Sequence, residues 1–134
     1  MPIKVFNIKN VNIQRILGGP IKPLISNRDI SKNQEFALGV FKPKEGLFFH
    51  THPRSEETYF IVSGTGTVFV EELKKPVKVK EGDVVYIPAG MPHGVKNTGR
   101  RNLLIAFFLS PGDTNVGYSI GEDCNVLEEE VPSP

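Results

Sequence analysis

The sequence predicts an all-β fold in which short antiparallel strands close a barrel or sandwich. Three observations carry this expectation. Runs rich in β-branched and aromatic residues recur along the chain, each closed by Gly, Pro, Asn or Asp. No segment repeats its apolar residues at the helical period. Eleven prolines and thirteen glycines in 134 residues supply the turns that many short strands need.

Length and composition set the frame. A chain of 134 residues with 39% hydrophobic and 23% charged residues is expected to form one soluble domain, residues 1–134, around one core. Lysine plus arginine number 16 against 15 acidic residues, so the net charge of +1 offers no electrostatic case for nucleic acid or anionic lipid. The single cysteine, Cys124, excludes an internal disulfide and a cysteine-based zinc cluster, and fits a reducing cytoplasm. Met1 to Phe6 lacks the pattern of a secretion signal, and no apolar run reaches the length of a membrane span.

In chain order the expected strands are Ile3–Ile8, Asn12–Leu17, Phe36–Lys42, Leu47–His52, Thr58–Val62, Thr67–Glu72, Val77–Lys80, Asp83–Ile87, His93–Lys96, Leu103–Leu109 and Val116–Ile120. Turn chemistry separates them: Gly18-Gly19-Pro20, Pro43 to Gly46, Ser63 to Gly66, Lys80 to Asp83, Pro88-Ala89-Gly90 and Asn97 to Arg100. Most are hairpin connections, which implies antiparallel pairing. Ser26 to Glu35 reads as one long polar loop, and the tail from about Glu128 to Pro134, with nothing periodic to bury, as a loosely attached end. Thr58–Val62 and Leu103–Leu109 are apolar on both faces, as strands covered from both sides would be.

The chain's three histidines fall where one barrel can bring them together. His50 and His52 stand at i and i+2 of a strand end and project from the same face. Pro53-Arg54-Ser55 then breaks the strand, and Glu56 or Glu57 opens the next, which folds back and delivers a carboxylate opposite the histidines. His93 follows Pro88-Ala89-Gly90-Met91-Pro92, a turn stiffened by prolines that sets the register of the strand after it. Each piece alone has a plain structural explanation; jointly, three imidazoles and a carboxylate suit one divalent ion of Mn, Fe, Co, Ni, Cu or Zn.

These residues resemble the two motifs of the cupin superfamily, G(X)5HXH(X)3–4E(X)6G and G(X)5PXG(X)2H(X)3N. The second is matched by Gly82, Pro88, Gly90, His93 and Asn97. The first is matched by His50, His52, Glu57 and Gly64, its leading glycine, Gly46, separated from His50 by only three residues. The motifs span residues 46–64 and 82–97. The resemblance implies an antiparallel double-stranded β-helix, or jelly-roll barrel, with the metal held inside by His50, His52, Glu57 and His93 and with Glu56 as the fallback carboxylate. It also implies a homodimer. The activities it allows are those of dioxygenases, isomerases, lyases, decarboxylases and cyclases, or non-catalytic binding of a small ligand.

Strand alternation extends the site. Tyr59 and Ile61 share the face of Glu57, and Phe48 that of His50 and His52; with Phe107 and Leu109 they form the expected substrate pocket. Tyr59 carries a hydroxyl able to act as a general acid, and Tyr86 offers a second one. Arg54 lies between two ligands, placed to pair with a substrate carboxylate, and Arg15, Lys22 and Arg28 are similarly placed near early strands at the edge of the mouth; solvation is the commoner state of an exposed turn arginine. An apolar pocket leans narrowly toward a dioxygenase over an enzyme of phosphosugars, for a small oxygenated or carboxylated substrate.

Overall fold

The computed structural model describes residues 3–26, 30–31, 33–71, 75–111 and 124–128. Eleven strands lie within them: β1 Gln14–Ile16, β2 Gly19–Ile25, β3 Glu35–Phe41, β4 Gly46–Thr51, β5 Glu56–Ser63, β6 Thr65–Val70, β7 Val77–Lys80, β8 Val84–Ile87, β9 His93–Lys96, β10 Leu103–Ser110 and β11 Asn125–Glu128. They form two antiparallel sheets, in the orders β1-β2-β3-β10-β5-β8 and β11-β4-β9-β6-β7. No helix among the described residues is long and apolar enough to cross a membrane.

Alternation decides which side chains enter the core. In β5 Glu57, Tyr59 and Ile61 are buried, while Glu56, Phe60 and Val62 point outward. β10 lies between β3 and β5 and buries Leu103, Ile105, Phe107 and Leu109. The opposing sheet contributes Leu47, Val68 and Val95, and Phe41 joins the same cluster. Burial of each such large side chain contributes about 1.5–3 kcal/mol relative to leaving it in water. The apolar outer faces of β5 and β10 stay partly open, so the covering expected on both sides is present on one.

Several expectations are corrected. Ile3–Ile8 forms no strand: Ile3 and Val5 are 91% and 89% exposed, and the segment ends in a single 3-10 turn, Ile8–Asn10, whose Lys9 N–H donates to the Asn7 side chain. It has the β-branched and aromatic content of a strand, but no strand among the described residues pairs with it. Gly19-Pro20 lies inside β2 rather than in a turn. The turn is Leu17-Gly18, with φ of 52° and 80°, the two left-handed residues that a two-residue hairpin requires. Pro23 is tolerated in β2 because it lies beyond the last β1 pair, Gln14 with Ile21. Asn125–Glu128, where no strand was expected and whose last residue begins the expected loose tail, pairs with β4, and the Cys124 thiol beside it is buried in the core. The expected strand Val116–Ile120, Arg28 and residues 129–134 lie outside the described residues.

Candidate metal centre

The histidines and Glu57 come from both sheets. His50 is the last residue but one of β4, His52 follows the strand, and His93 opens β9, directly paired with His50. Glu57 is the second residue of β5 in the other sheet, paired with Leu109 on one side and Ile87 on the other. The turn between β8 and β9 is tied to the site by its backbone, as Gly90 N–H donates to the His52 carbonyl at 2.8 Å. Gly90 has a φ of 81°, so a glycine suits that turn. Asn97, at the end of the motif, serves the frame: its amide donates to Phe41 O and Arg101 O, and its carbonyl oxygen accepts from Gly99 N–H.

An irregularity in β4 aims the first histidine. Leu47 pairs with Val95 and His50 with His93, so three steps on β4 face two on β9 and a bulge falls at Phe48-Phe49. There the Phe48 N–H leaves the ladder and donates to Leu17 O at 2.8 Å, while the Phe48 carbonyl accepts from His50 Nδ1 at 2.7 Å. His93 Nδ1 donates in the same way to Met91 O at 2.8 Å. With both Nδ1 atoms engaged as donors, the Nε2 atoms are the ones left to bind.

All four residues are buried, and one potential ligand atom from each lies within 4.8 Å of the others. Glu57 Oε1 is 2.8 Å from His93 Nε2 and 3.6 Å from His52 Nε2. Ligands about 2.1 Å from a shared ion stand about 3.0 Å apart when adjacent and about 4.2 Å apart when opposite, so a small contraction closes this set on an ion. Because His93 Nδ1 already donates, its Nε2 and the carboxylate oxygen are two acceptors in contact unless a proton or a cation lies between them. Burial, then the neighbouring His93 and His52, hold His50 well below its ordinary value of 6.5, against a smaller opposing effect of its bond to Phe48. A neutral imidazole is what a metal needs. The donor set therefore fits a divalent transition ion.

Beside the cluster lies a cavity with room of about 40 Å³ for water-sized occupants, or roughly three of them. Phe107 and Leu109 line it, as the sequence predicts, together with Leu47, Ala37 and residues of the β1–β2 hairpin. Phe48, Tyr59 and Ile61 are absent from its wall. The bulge puts Leu47 where unbroken alternation would put Phe48, whose ring lies on the backbone of Gly18 instead. Ile61 is deeper in the core, and the Tyr59 ring packs edge-on against Phe107 and beside His93. The Tyr59 hydroxyl is buried with no hydrogen-bond partner, and burial, then the Glu57 charge, push it well above the usual phenol range.

The other polar candidates lie elsewhere. Glu56 faces outward and Tyr86 is exposed on β8. Arg15 pairs with Glu45 at the surface, Lys22 donates to Ile8 O, and Arg54 is exposed. Glu35, read as the end of a polar loop, instead opens β3, is 2% exposed and lines the cavity with His50, His52 and Glu57. Its period-2 spacing to Ala37 and Phe41 was the available signal.

Comparison with known proteins agrees with this arrangement. Residues 37–109 match the family described as the cupin domain. The chain is 28% identical over 109 residues to polyketide synthase CurC of Streptomyces cyaneus, covering 81% of this chain and 70% of that protein. It is 34% identical over 112 residues to 3-hydroxyanthranilate 3,4-dioxygenase of Bacillus thuringiensis, covering 78% and 61%. Among solved structures, a predicted oxalate decarboxylase of Thermotoga maritima superimposes with a TM-score of 0.72 at 25% identity, over 81% of this chain and 99% of that one.

Proposed function

This chain belongs to the cupin family, and on that premise we propose that it is a divalent-metal-dependent enzyme acting on a small oxygenated or carboxylated molecule, with dioxygenase chemistry as the first reading. The observation that carries the proposal is the buried quartet His50, His52, Glu57 and His93 set against a cavity with apolar walls. An ion held there supplies Lewis acidity toward a carbonyl or enol oxygen and, where the metal is redox-active, reactivity with dioxygen. The residues do the remaining work. The three imidazoles and the carboxylate orient the ion, and Phe107, Leu109 and Leu47 exclude water. The 40 Å³ space admits a chelating head group rather than a whole larger molecule. No lysine or arginine is among the described residues that line it, which weighs against a phosphorylated substrate. We propose Tyr59 as the proton donor to a group bound at the cluster, acting from beside His93 rather than from the cavity wall, since its hydroxyl stays protonated.

The likeness to the dioxygenase supports oxygen chemistry, and that to CurC supports a second reading, cyclisation with the metal as Lewis acid alone. The test is metal analysis of the purified chain followed by oxygen-uptake and product assays on small enolic, phenolic and carboxylic compounds. About one ion per chain and metal-dependent turnover are expected. A chain that takes up no divalent ion even when reconstituted refutes the proposal, and turnover without oxygen uptake selects the second reading.

We further propose a cytoplasmic homodimer. The lone buried Cys124 fits a reducing compartment. The outer face of the larger sheet carries exposed Phe60, Val62, Val84, Tyr86 and Phe108, a patch suited to a second copy.

A further inference from the structure

We propose that Leu17, at the tip of the β1–β2 hairpin, is a positioning residue for His50: its side chain forms part of the cavity wall, while its carbonyl holds the backbone that aims the imidazole Nε2 into the cluster. The inference deepens the metal-dependent reading above and rests on it. It also gives the Gly18-Gly19 pair a part in the metal site.

Connection is the first argument. Leu17 O accepts from Phe48 N–H at 2.8 Å, and Phe48 O accepts from His50 Nδ1 at 2.7 Å. Phe48 stands in the β4 bulge, where the ladder to β9 is interrupted and does not fix the peptide. Two hydrogen bonds through one residue therefore join the hairpin tip to the ring. His93 is held instead by Met91 O, in the β8–β9 turn.

Packing is the second. The hairpin and β4 approach each other through glycine. A Cβ at Gly18 would stand less than 3.0 Å from three atoms of the Phe48 ring, and one at Gly19 would stand 2.7 Å from Gly46 O and 2.8 Å from the Leu47 side chain. A side chain at either position would push on β4 and turn the Phe48 peptide with it.

Conformation is the third. Leu17 has a φ of 52°, a left-handed value that glycine or asparagine adopts at less cost. What its side chain touches explains a leucine there. It is 8% exposed, belongs to the core cluster and lines the cavity together with His50 and His52. Burial of that side chain anchors the carbonyl next to it. One residue thus serves both the wall that meets a substrate and the frame of a metal ligand.

The test uses the full chain and its Leu17→Gly and Gly18→Asn variants, each loaded with Co(II). Both replacements suit a left-handed backbone, and each tests the link by itself. Competition with a chelator gives the Co(II) affinity, and the paramagnetically shifted proton resonances report on the Nδ1–H groups of His50 and His93. Each variant should bind Co(II) about tenfold or more weakly, and should shift the His50 resonance or speed its exchange with water while that of His93 keeps its parent position. Adding Phe48→Ala to Gly18→Asn removes the ring but keeps the N–H and the carbonyl, and should recover most of the lost affinity. Affinities within about twofold of the parent, with an unmoved His50 resonance, overturn the role of Leu17. Equal displacement of both resonances also overturns it, by showing general loosening, and so does a double variant that recovers nothing. A parent chain that binds no Co(II) instead fails the metal-dependent reading itself, and the two failures are thereby told apart.

Discussion

Replacing Tyr59 by phenylalanine should make the metal-free protein more stable, the reverse of what deleting a core atom usually does. The ring is 0% exposed and packed against Phe107, so phenylalanine keeps every apolar contact. What is lost is a buried hydroxyl with no hydrogen-bond partner. An unsatisfied buried polar group costs about 1–3 kcal/mol, and its removal returns that amount. Unfolding entropy of about 2.1 cal/mol/K per residue gives about 0.28 kcal/mol/K for 134 residues, so each kcal/mol moves the midpoint by about 3.5 °C. The Tyr59→Phe variant should therefore melt about 4–10 °C higher by calorimetry in the presence of chelator. If the hydroxyl is also the proton donor of the reaction, turnover of the metal-loaded variant falls tenfold or more. A midpoint that drops by several degrees would refute the reasoning, since it would mean the hydroxyl is satisfied and stabilising.

Other perturbations follow from the same geometry. His52→Ala and His93→Ala should each weaken metal binding by about a hundredfold or more while the far-ultraviolet circular dichroism of the parent is kept; full metal content in both variants by elemental analysis would contradict the assigned ligand set. Chelator should lower the melting midpoint by about 10 °C at an ion concentration a hundred times Kd, an effect worth about 2.7 kcal/mol. In the metal-free chain the depressed His50 value means that the unfolded state binds a proton more readily than the folded one. This contribution to stability is complete above pH 6.5 and is lost as pH falls from there toward the folded-state value, which urea unfolding across that range would measure. Phe108→Glu on the outer sheet face should give a monomer in sedimentation if the dimer forms there, with no change in metal content.

Much of the site was legible in the chain because its geometry is local. His50 and His52 share a face through the two-residue period of a strand, and the alternation in β5 buried Glu57 rather than Glu56. β7 and β9 have the bounds that the sequence predicts, Val77–Lys80 and His93–Lys96. Glu35 escaped because a polar stretch precedes it, and acids in such places are usually solvated. Nothing local shows that Leu109 lies beside it, with Glu57 one strand beyond.

Residue order alone determined the strand-rich class, the turns and the four groups able to meet on one ion, since each depends on spacing of a few residues and on backbone preference. Tertiary structure decided what depends on a distant neighbour. Ile3–Ile8 has the apolar and β-branched content of a strand but no described strand beside it, whereas Gly19–Ile25, with two prolines, is a strand because β1 and β3 flank it. Phe48 left the cavity wall because its N–H found Leu17 O, thirty-one positions back along the chain. A hydrogen bond between remote segments carries no periodic signature, so only the folded chain reveals which side chain it turns inward.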